Sequence, residues 1–188
     1  MILMKNRAPQ TPIYTIGYGS RALDAFIETL RKYGAQYLAD VRSAPYSRYK
    51  PEFSKEPLEQ ALRREGLHYV YMGAELGGMP KDRSYYYANG KVNYDLVQEA
   101  EFYQKGIARL ADASERGLPT AAMCSEAKPE MCHRSKLIGK SLTEAGVETL
   151  HIDENGSLLT QEQVMKRLTG GQGSLFGEGG FQSRKRYR

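Results

Sequence analysis

The sequence predicts an α/β fold in three layers: a mostly parallel, five-stranded sheet with helices on both faces, in a Rossmann-like arrangement. Two observations predict it. Short apolar runs alternate along the chain with longer segments of helical periodicity, and glycine closes most of the longer segments. Strands that are joined through helices run parallel, because each crossover returns the chain to the same end of the sheet.

The strand and helix predictions follow from the period of the apolar residues. The expected strands are residues 13–16, 37–41, 68–72, 120–123 and 148–152. The expected helices are residues 23–33, 57–65, 94–116, 135–145 and 161–168. Gly106 is expected to weaken or divide the third and longest helix, because glycine is a poor helix former.

Length and composition indicate one globular domain with a tail. The 188 residues divide into an N-terminal extension (1–12), a single α/β domain (13–168) and a flexible, glycine-rich basic tail (169–188). No apolar run approaches the roughly 20 residues of a membrane span, and residues 1–11 lack an apolar stretch like that of a signal peptide. We therefore expect a cytoplasmic protein, in which Cys124 and Cys132 stay reduced.

The net charge of +5 is concentrated at the C-terminus. Residues 170–188 contain four cations and one anion, which gives +3 and leaves +2 for the rest of the chain. The charge of the whole chain is therefore weak evidence for binding nucleic acid, and the tail carries most of that evidence.

Four polar or glycine-rich loops follow the first four strands, at residues 17–20, 40–50, 73–78 and 124–134. The carboxyl ends of parallel strands lie at one edge of a sheet, where α/β proteins bind ligands. The four loops are therefore expected to surround one cleft. The third loop leads into three tyrosines (85–87), which suit a lid, a stacking surface, a subunit interface or a cap on the core.

The first two loops are candidates for holding phosphate. Glycine lets the backbone approach an anion, and arginine matches phosphate oxygens. The expected ligand-binding residues are Gly17, Tyr18, Gly19, Arg42, Ser47, Arg48 and Arg134. Two alternatives remain: the glycines serve turn geometry only, or the second loop is a solvated basic loop in which Asp40 neutralises Arg42.

The fourth loop contains both cysteines of the chain and one of its three histidines. In a first interpretation Cys124 is a nucleophile, acidified by His133 and Arg134. In a second, both cysteines are inert and buried. In a third, Cys124, Cys132 and His133 bind zinc or iron, although their spacing is not that of a standard zinc finger and no cofactor is required by the sequence.

Carboxylates near these loops are candidates for acid–base catalysis. The residues expected to carry the chemistry are Cys124, Glu126, Cys132, His133 and Asp40. The alternative is that Glu126 and Asp40 each pair with a nearby arginine. His68 and His151 lie in expected strands and are interpreted as structural.

The four loops together resemble the family known as domain of unknown function 488. The motifs that carry the resemblance occur in order between about residues 13 and 152: Thr15-Ile16-Gly17-Tyr18-Gly19, Asp40-Val41-Arg42 with Pro45, Ser47 and Arg48, Leu76-Gly77-Gly78, and Cys124-Ser125-Glu126 with Pro129 and Cys132-His133-Arg134. The resemblance implies a compact α/β domain and marks the matching residues as site residues, but it implies no particular reaction.

The tail contains a second motif. The segment from Gln172 to Phe176 is similar to the peptide by which bacterial proteins dock onto the DNA polymerase sliding clamp, with Gln172 leading and Leu175 and Phe176 as apolar anchors. Gly173 departs from that pattern, which often has leucine there. The alternatives are a chance match or a tail that packs back onto the body.

These observations lead to three hypotheses for function. The first is an enzyme that acts on DNA or a nucleotide, in DNA repair or maintenance, with a flipped or single-stranded base if the target is a base. The second is a non-catalytic module that binds nucleic acid or nucleotide. The third is a thiol- or metal-dependent enzyme that acts on a small molecule unrelated to DNA.

Overall fold

Six strands form a single sheet in the order β3-β2-β4-β1-β5-β6 in this computed structural model, which describes residues 10–170 and 181–187. The strands are β1 (Ile13–Gly17), β2 (Tyr37–Asp40), β3 (His68–Tyr71), β4 (Thr120–Cys124), β5 (Thr149–Ile152) and β6 (Leu158–Thr160). Strands β1 to β5 are parallel, and β6 runs antiparallel to β5. The mostly parallel sheet is confirmed.

The prediction of five strands is wrong, because β6 adds a sixth at the edge. It follows a tight turn in which the Asp153 carboxylate accepts hydrogen bonds from the backbone N–H groups of Asn155 and Ser157. The strand has only three residues and little burial. Three residues are too few to show an apolar alternation, so the sequence pattern missed it.

One short helix, Gly73–Leu76, lies in the predicted third loop, and the other helices begin and end close to the predicted positions, with two differences. They are α1 (Leu23–Lys32), α2 (Lys55–Arg64), α3 (Gly73–Leu76), α4 (Tyr94–Glu99), α5 (Glu101–Glu115), α6 (Lys140–Glu144) and α7 (Gln161–Thr169). The predicted helix 94–116 divides at Ala100, whose backbone is extended, and not at Gly106. The predicted helix 135–145 begins as a π-helix, Arg134–Gly139.

Gly106 has a packing role inside α5. A Cβ atom at this position would lie 2.7 Å from the Leu76 side chain, so the absence of a side chain lets the short helix α3 pack against α5. This close approach favours glycine in spite of its low helix propensity. No helix in the described ranges has both the length and the apolar character needed to cross a membrane.

Two apolar cores lie on opposite faces of the sheet, because neighbouring strand residues point in opposite directions. Leu38 and Ala121 belong to one core, which is completed by α1 and α2. Ala39 and Ala122 belong to the other, which is completed by α4, α5 and α6. Helices therefore cover both faces and leave the carboxyl edge of the sheet to the loops.

The C-terminal segment, residues 181–187, packs against the body. Phe181 accepts a backbone hydrogen bond from Tyr94 at 3.1 Å, and the N–H of Ser183 donates to Val92 at 3.1 Å. The predicted flexible tail of residues 169–188 is therefore fixed in this part by backbone pairing, a tertiary contact that composition does not reveal. The predicted clamp motif, with Gln172, Leu175 and Phe176, lies outside the described residues.

Candidate functional site

A cleft of about 240 Å³ lies at the carboxyl ends of β1, β2 and β4. The register of the sheet creates it, because Gly17 of β1 lies beside Cys124 of β4, and Asp40 of β2 lies beside Met123. The loops that follow these strands therefore begin side by side. The residues that line the cleft are Tyr18, Arg42, Ser43, Ala44, Tyr46, Gly78, Met79, Tyr94, Cys124, Ser125, Glu126, Met131, Cys132, His133, Arg184, Lys185 and Tyr187.

Two thiols and an imidazole meet in the wall of the cleft. His133 Nδ1 lies 3.7 Å from Cys124 Sγ and 3.5 Å from Cys132 Sγ. On the other side of the ring, Nε2 lies 3.1 Å from the carbonyl oxygen of Val41. A carbonyl oxygen can only accept, so Nε2 carries a proton. Nδ1 is therefore the nitrogen that faces the sulfur atoms, and both cysteines are free thiols.

The surroundings separate the pKa values of the two cysteines. A hydrogen bond from Cys132 and the charge of His133 hold the pKa of the Cys124 thiol well below its usual range, although burial opposes them. Burial and the donated hydrogen bond hold the pKa of the Cys132 thiol well above its usual range. Burial alone would lower the pKa of His133, but attraction to Cys124 raises it. These shifts favour a thiolate at Cys124 over a thiolate at Cys132.

Arg134 is a buried cation whose guanidinium is bonded to backbone carbonyl groups. Its side chain is fully buried, and its Nη1 and Nη2 donate to the carbonyl oxygens of Glu126 and Ala127, each at 2.8 Å. Among the described residues Nε has no partner, and no carboxylate pairs with the guanidinium. A buried charge is costly unless it is compensated. The protein therefore maintains positive potential directly behind the cysteine cluster.

Arg42, in contrast, is neutralised by its neighbour. Its Nε and Nη2 donate to the two carboxylate oxygens of Asp40 at 2.8 and 2.6 Å, and Tyr69 donates to the same carboxylate at 2.7 Å. Burial lowers the pKa of Arg42, but the bonds to Asp40 more than reverse this and the net pKa is raised. The guanidinium lies 5.5 Å from the centre of the Tyr18 ring, so the pair positions an aromatic wall of the cleft.

The C-terminal segment supplies cations to the rim. Arg184 Nη2 lies 3.0 Å from both carboxylate oxygens of Glu126, and Lys185 Nζ lies 3.6 Å from one of them. Tyr187 is hydrogen-bonded to Gly90 through its backbone and lines the same cleft. The rim therefore carries two cations and one carboxylate, which a ligand would contact as it enters the cleft.

The profile of one protein family matches a large part of this chain. The family is described as "Domain of unknown function DUF488", and the match covers residues 22–140. The chain belongs to this family. The matched segment contains the Asp40–Arg42 pair and the whole cysteine cluster, whereas Tyr18 and the C-terminal segment lie outside it. Comparison with curated proteins and comparison with solved structures give no match.

Within the family segment, the residues expected to carry chemistry divide into two groups. Cys124, Glu126, Cys132 and His133 all line the cleft. Asp40 does not, because it is fully buried and its carboxylate is occupied by Arg42 and Tyr69. The alternative of an acid neutralised by an arginine therefore describes Asp40 better than a role in acid–base catalysis.

Of the residues expected to hold a ligand, Tyr18 and Arg42 line the cleft. Ser47 is buried behind it and accepts a hydrogen bond from the Tyr18 hydroxyl at 3.3 Å, and Arg48 is exposed away from it. Arg134 lies behind the cysteine cluster. Gly17 is a packing residue, since a Cβ atom there would lie 1.7 Å from the carbonyl oxygen of Glu126.

Gly19 also has a local role. Its φ of +48° lies in the left-handed region, which favours glycine, and a Cβ atom would lie 2.5 Å from that of Ala127. The first loop therefore allows the fourth loop to pack closely against it. Neither Gly17 nor Gly19 is among the residues that line the cleft.

Sequence reasoning missed several residues of the cleft. Tyr94 was assigned only to a helix, and Arg184, Lys185 and Tyr187 were assigned to a free tail. The mixture of cations and an aromatic residue at 184–187 was the one available signal, because that composition suits an anionic ligand. Gly78 belongs to one of the family motifs, but its role was not foreseen: a Cβ atom there would lie 2.8 Å from the His133 ring, so this glycine makes room for the histidine.

This arrangement is suited to two kinds of chemistry. A cysteine with a lowered pKa beside a histidine is the pattern of a nucleophile. Two sulfur atoms and an imidazole nitrogen, all within 4.8 Å of one another, also form a ligand set for a soft metal ion. In both cases the positive charge of Arg134 favours a negatively charged substrate in the cleft.

Proposed function

We propose that this protein is an enzyme that acts on a nucleotide or on nucleic acid in DNA maintenance, with its chemistry at Cys124, Cys132 and His133. The observation that supports the proposal is the buried charge of Arg134 behind that cluster, with which no carboxylate of the described residues pairs. In a low-dielectric interior such a charge acts over several ångströms and attracts an anion such as phosphate.

Aromatic side chains in the cleft favour a nucleotide over a simple anion. The tyrosines that line it are Tyr18, Tyr46, Tyr94 and Tyr187. Tyr46 is 72% exposed although it is aromatic, which leaves its ring free to stack on a base. Tyr18 is held in place by stacking on Phe53, with ring centres 4.4 Å apart.

The size of the cleft limits what can enter. Its volume of about 240 Å³ is below the roughly 300 to 1,000 Å³ of common ligand pockets. A single base or a sugar phosphate fits such a volume, but a duplex does not. Nucleic acid would therefore present a flipped, terminal or single-stranded nucleotide, while Arg184 and Lys185 at the rim contact the neighbouring phosphates.

Binding of nucleotides and short DNA strands tests the substrate class. We expect single-stranded DNA and nucleoside phosphates to bind at low salt, with an affinity that falls steeply as salt is added. Tyr46→Ala should weaken binding roughly 5- to 100-fold, because one stacked base contributes about 1–3 kcal/mol. Tyr49→Ala is the matched control, since Tyr49 is 91% exposed in the same loop but does not line the cleft.

Absence of binding even at low salt would contradict the proposal and favour an enzyme for a small molecule. Catalysis needs a separate test: bound substrates are incubated with the protein and analysed for products by mass spectrometry. Cys124→Ala should abolish turnover while nucleotide affinity changes little. If the wild type never turns over a ligand that it binds, the protein is a binding module.

Docking on a sliding clamp is the second part of the proposal. The backbone N–H of Tyr94, which lines the cleft, donates to the carbonyl oxygen of Phe181, so the chain that follows the Gln172–Phe176 motif is fixed to the body beside the cleft. A clamp bound there would bring DNA to this edge. Replacing Leu175 and Phe176 by alanine should abolish co-migration with a bacterial clamp; no co-migration of the wild type would exclude the interaction.

A further inference from the structure

We propose that Cys124, Cys132 and His133 bind a zinc ion through their two Sγ atoms and Nδ1, and that the fourth coordination position opens into the cleft. Thiolate and imidazole are ligands that zinc prefers. Structural zinc sites use four protein ligands, whereas catalytic sites use three and leave one position for water or substrate. This inference rests on the proposed function, since it names the agent of the chemistry in the same cleft.

The spacing of the ligand atoms carries the inference. A tetrahedral zinc ion with bonds of about 2.3 Å to sulfur and 2.0 Å to nitrogen holds a sulfur and a nitrogen ligand about 3.5 Å apart. The two Sγ–Nδ1 distances are 3.7 and 3.5 Å. All three atoms lie within 4.8 Å of one another, so an ion requires little movement of the side chains.

The orientation of His133 is that of a metal ligand. Nε2 donates to the carbonyl oxygen of Val41 at 3.1 Å, and the lone pair of Nδ1 points to the sulfur atoms in the neutral ring. Ligating histidines commonly use their second nitrogen in this way, because the hydrogen bond fixes both tautomer and orientation. Gly78 leaves room for the ring on its other side.

Burial keeps the sulfur ligands in place before an ion arrives. Both cysteines are buried and are not joined in a disulfide. The fully buried cation Arg134 follows His133 directly in the chain and favours thiolate ligands, whose charge would otherwise be unfavourable in a buried site.

With a zinc ion in this position, the expected class of reaction is hydrolysis. Water bound at the fourth position has a pKa near 7, because the ion stabilises hydroxide. Glu126 lines the cleft, where its carboxylate is paired with Arg184 and Lys185, and it is the residue that would take the proton. The hydroxide forms a bond to the electrophilic carbon or phosphorus of the substrate, that atom's bond to the leaving group breaks, and Glu126 returns the proton to the leaving group.

Metal analysis of the full chain, purified without a histidine tag, tests the inference. We expect about one zinc ion per chain, and after exchange for cobalt we expect the visible spectrum of tetrahedral cobalt with a thiolate charge-transfer band. Cys132→Ser should lose about half of that band. His133→Asn should lower zinc affinity by more than the roughly 10- to 100-fold that follows loss of a supporting contact. His68→Asn is the matched control and should keep the metal.

Thiol titration gives a second measurement that needs no variant. With zinc bound, both cysteines should react slowly with a thiol reagent, and a strong chelator should release them. If the wild type binds no zinc at micromolar free metal, forms no tetrahedral cobalt spectrum and shows no protection, the inference is wrong. Nucleotide binding is measured on the same samples: binding without metal would leave the proposed substrate class standing, whereas zinc without nucleotide binding would refute that class alone.

Discussion

Two buried arginines at the carboxyl edge of the sheet differ in whether a carboxylate neutralises their charge. Arg42 forms two hydrogen bonds with the carboxylate of Asp40, so the pair is close to neutral. Arg134 is more deeply buried, yet within the described ranges its guanidinium is bonded only to the carbonyl oxygens of Glu126 and Ala127. Arg42 therefore holds the fold together beside Tyr18, while Arg134 provides positive potential to the cysteine cluster.

The comparison shows that residue type and position in the chain do not assign a role to a buried charge. Both arginines follow a strand of the sheet, and both were expected to hold phosphate. The difference lies in the partner: a carboxylate cancels the charge, whereas carbonyl dipoles only solvate it. Substitutions of the two residues should therefore change different properties of the protein.

The largest effect on stability is expected from substitution of Arg42. Arg42→Met leaves the carboxylate of Asp40 buried with Tyr69 as its remaining side-chain donor, which should lower the free energy of unfolding by about 3–5 kcal/mol. Urea denaturation measures it. Adding Asp40→Asn should recover at least half of the loss, because it removes the unpaired charge. Arg48→Met, in the exposed part of the same loop, is the control. Equal stability of the two single variants would refute a structural role for the pair.

An intermediate effect on stability is expected from the titration of His151. Burial, and then the charge of Arg134, lower the pKa of His151 to about 4 from 6.5. Its Nε2 donates to Gln161 and its Nδ1 accepts from Thr15, each at 2.7 Å, as expected for a neutral ring. Between these two pKa values the unfolded chain binds more protons than the folded chain.

The contribution of His151 to stability is therefore complete above about pH 6.5 and is lost as the pH falls towards 4. At about pH 4.5 the loss should reach about 2.5 kcal/mol. Urea denaturation across this range measures it, with His151→Gln as the comparison that lacks the titrating group. Parallel pH profiles of wild type and variant would show that the histidine does not have this lowered pKa.

The smallest effect on stability is expected at Arg134. Arg134→Met removes donors from two carbonyl groups, but it also removes an uncompensated charge, so we expect a loss of about 2 kcal/mol or less. Nucleotide affinity should fall, and the pKa of His151 should rise because a nearby positive charge is gone. Nuclear magnetic resonance titration of His151 measures the second change. An unchanged His151 pKa would mean that Arg134 exerts no potential on its surroundings.

The sequence predicted most of the fold, because the period of the apolar residues encodes which segments bury one face. The five parallel strands lie at the predicted positions to within a residue or so at each end. The edge strand β6 and the break at Ala100 depend on tertiary packing and have no periodic signal. The π-helix after His133 was also not predicted from the period of the apolar residues, since a π-helix and an α-helix share similar residue preferences.

The site was predicted in part. The placement of Cys124 at the end of a central strand located the cleft, because parallel strands end at a common edge. The neutralisation of Arg42 was anticipated as an alternative, since Asp40 is two residues away. A tail that packs back onto the body was only an alternative, and residues 181–187 do pack in this way. The position of Arg184 and Tyr187 at the rim was not predicted, because it depends on backbone pairing between residues far apart in the chain.

The π-helix Arg134–Gly139 makes the position of the cysteine cluster sensitive to the number of residues in the chain. A π-helical turn accommodates one residue more than an α-helical turn. Deletion of one residue from this turn would let it close as an α-helix and rotate the preceding residues by about 100°. Cys132 and His133 would then turn away from Cys124, while β4 and α6 remained in place. A single-residue deletion is thus a route by which relatives could keep this fold and lose this site.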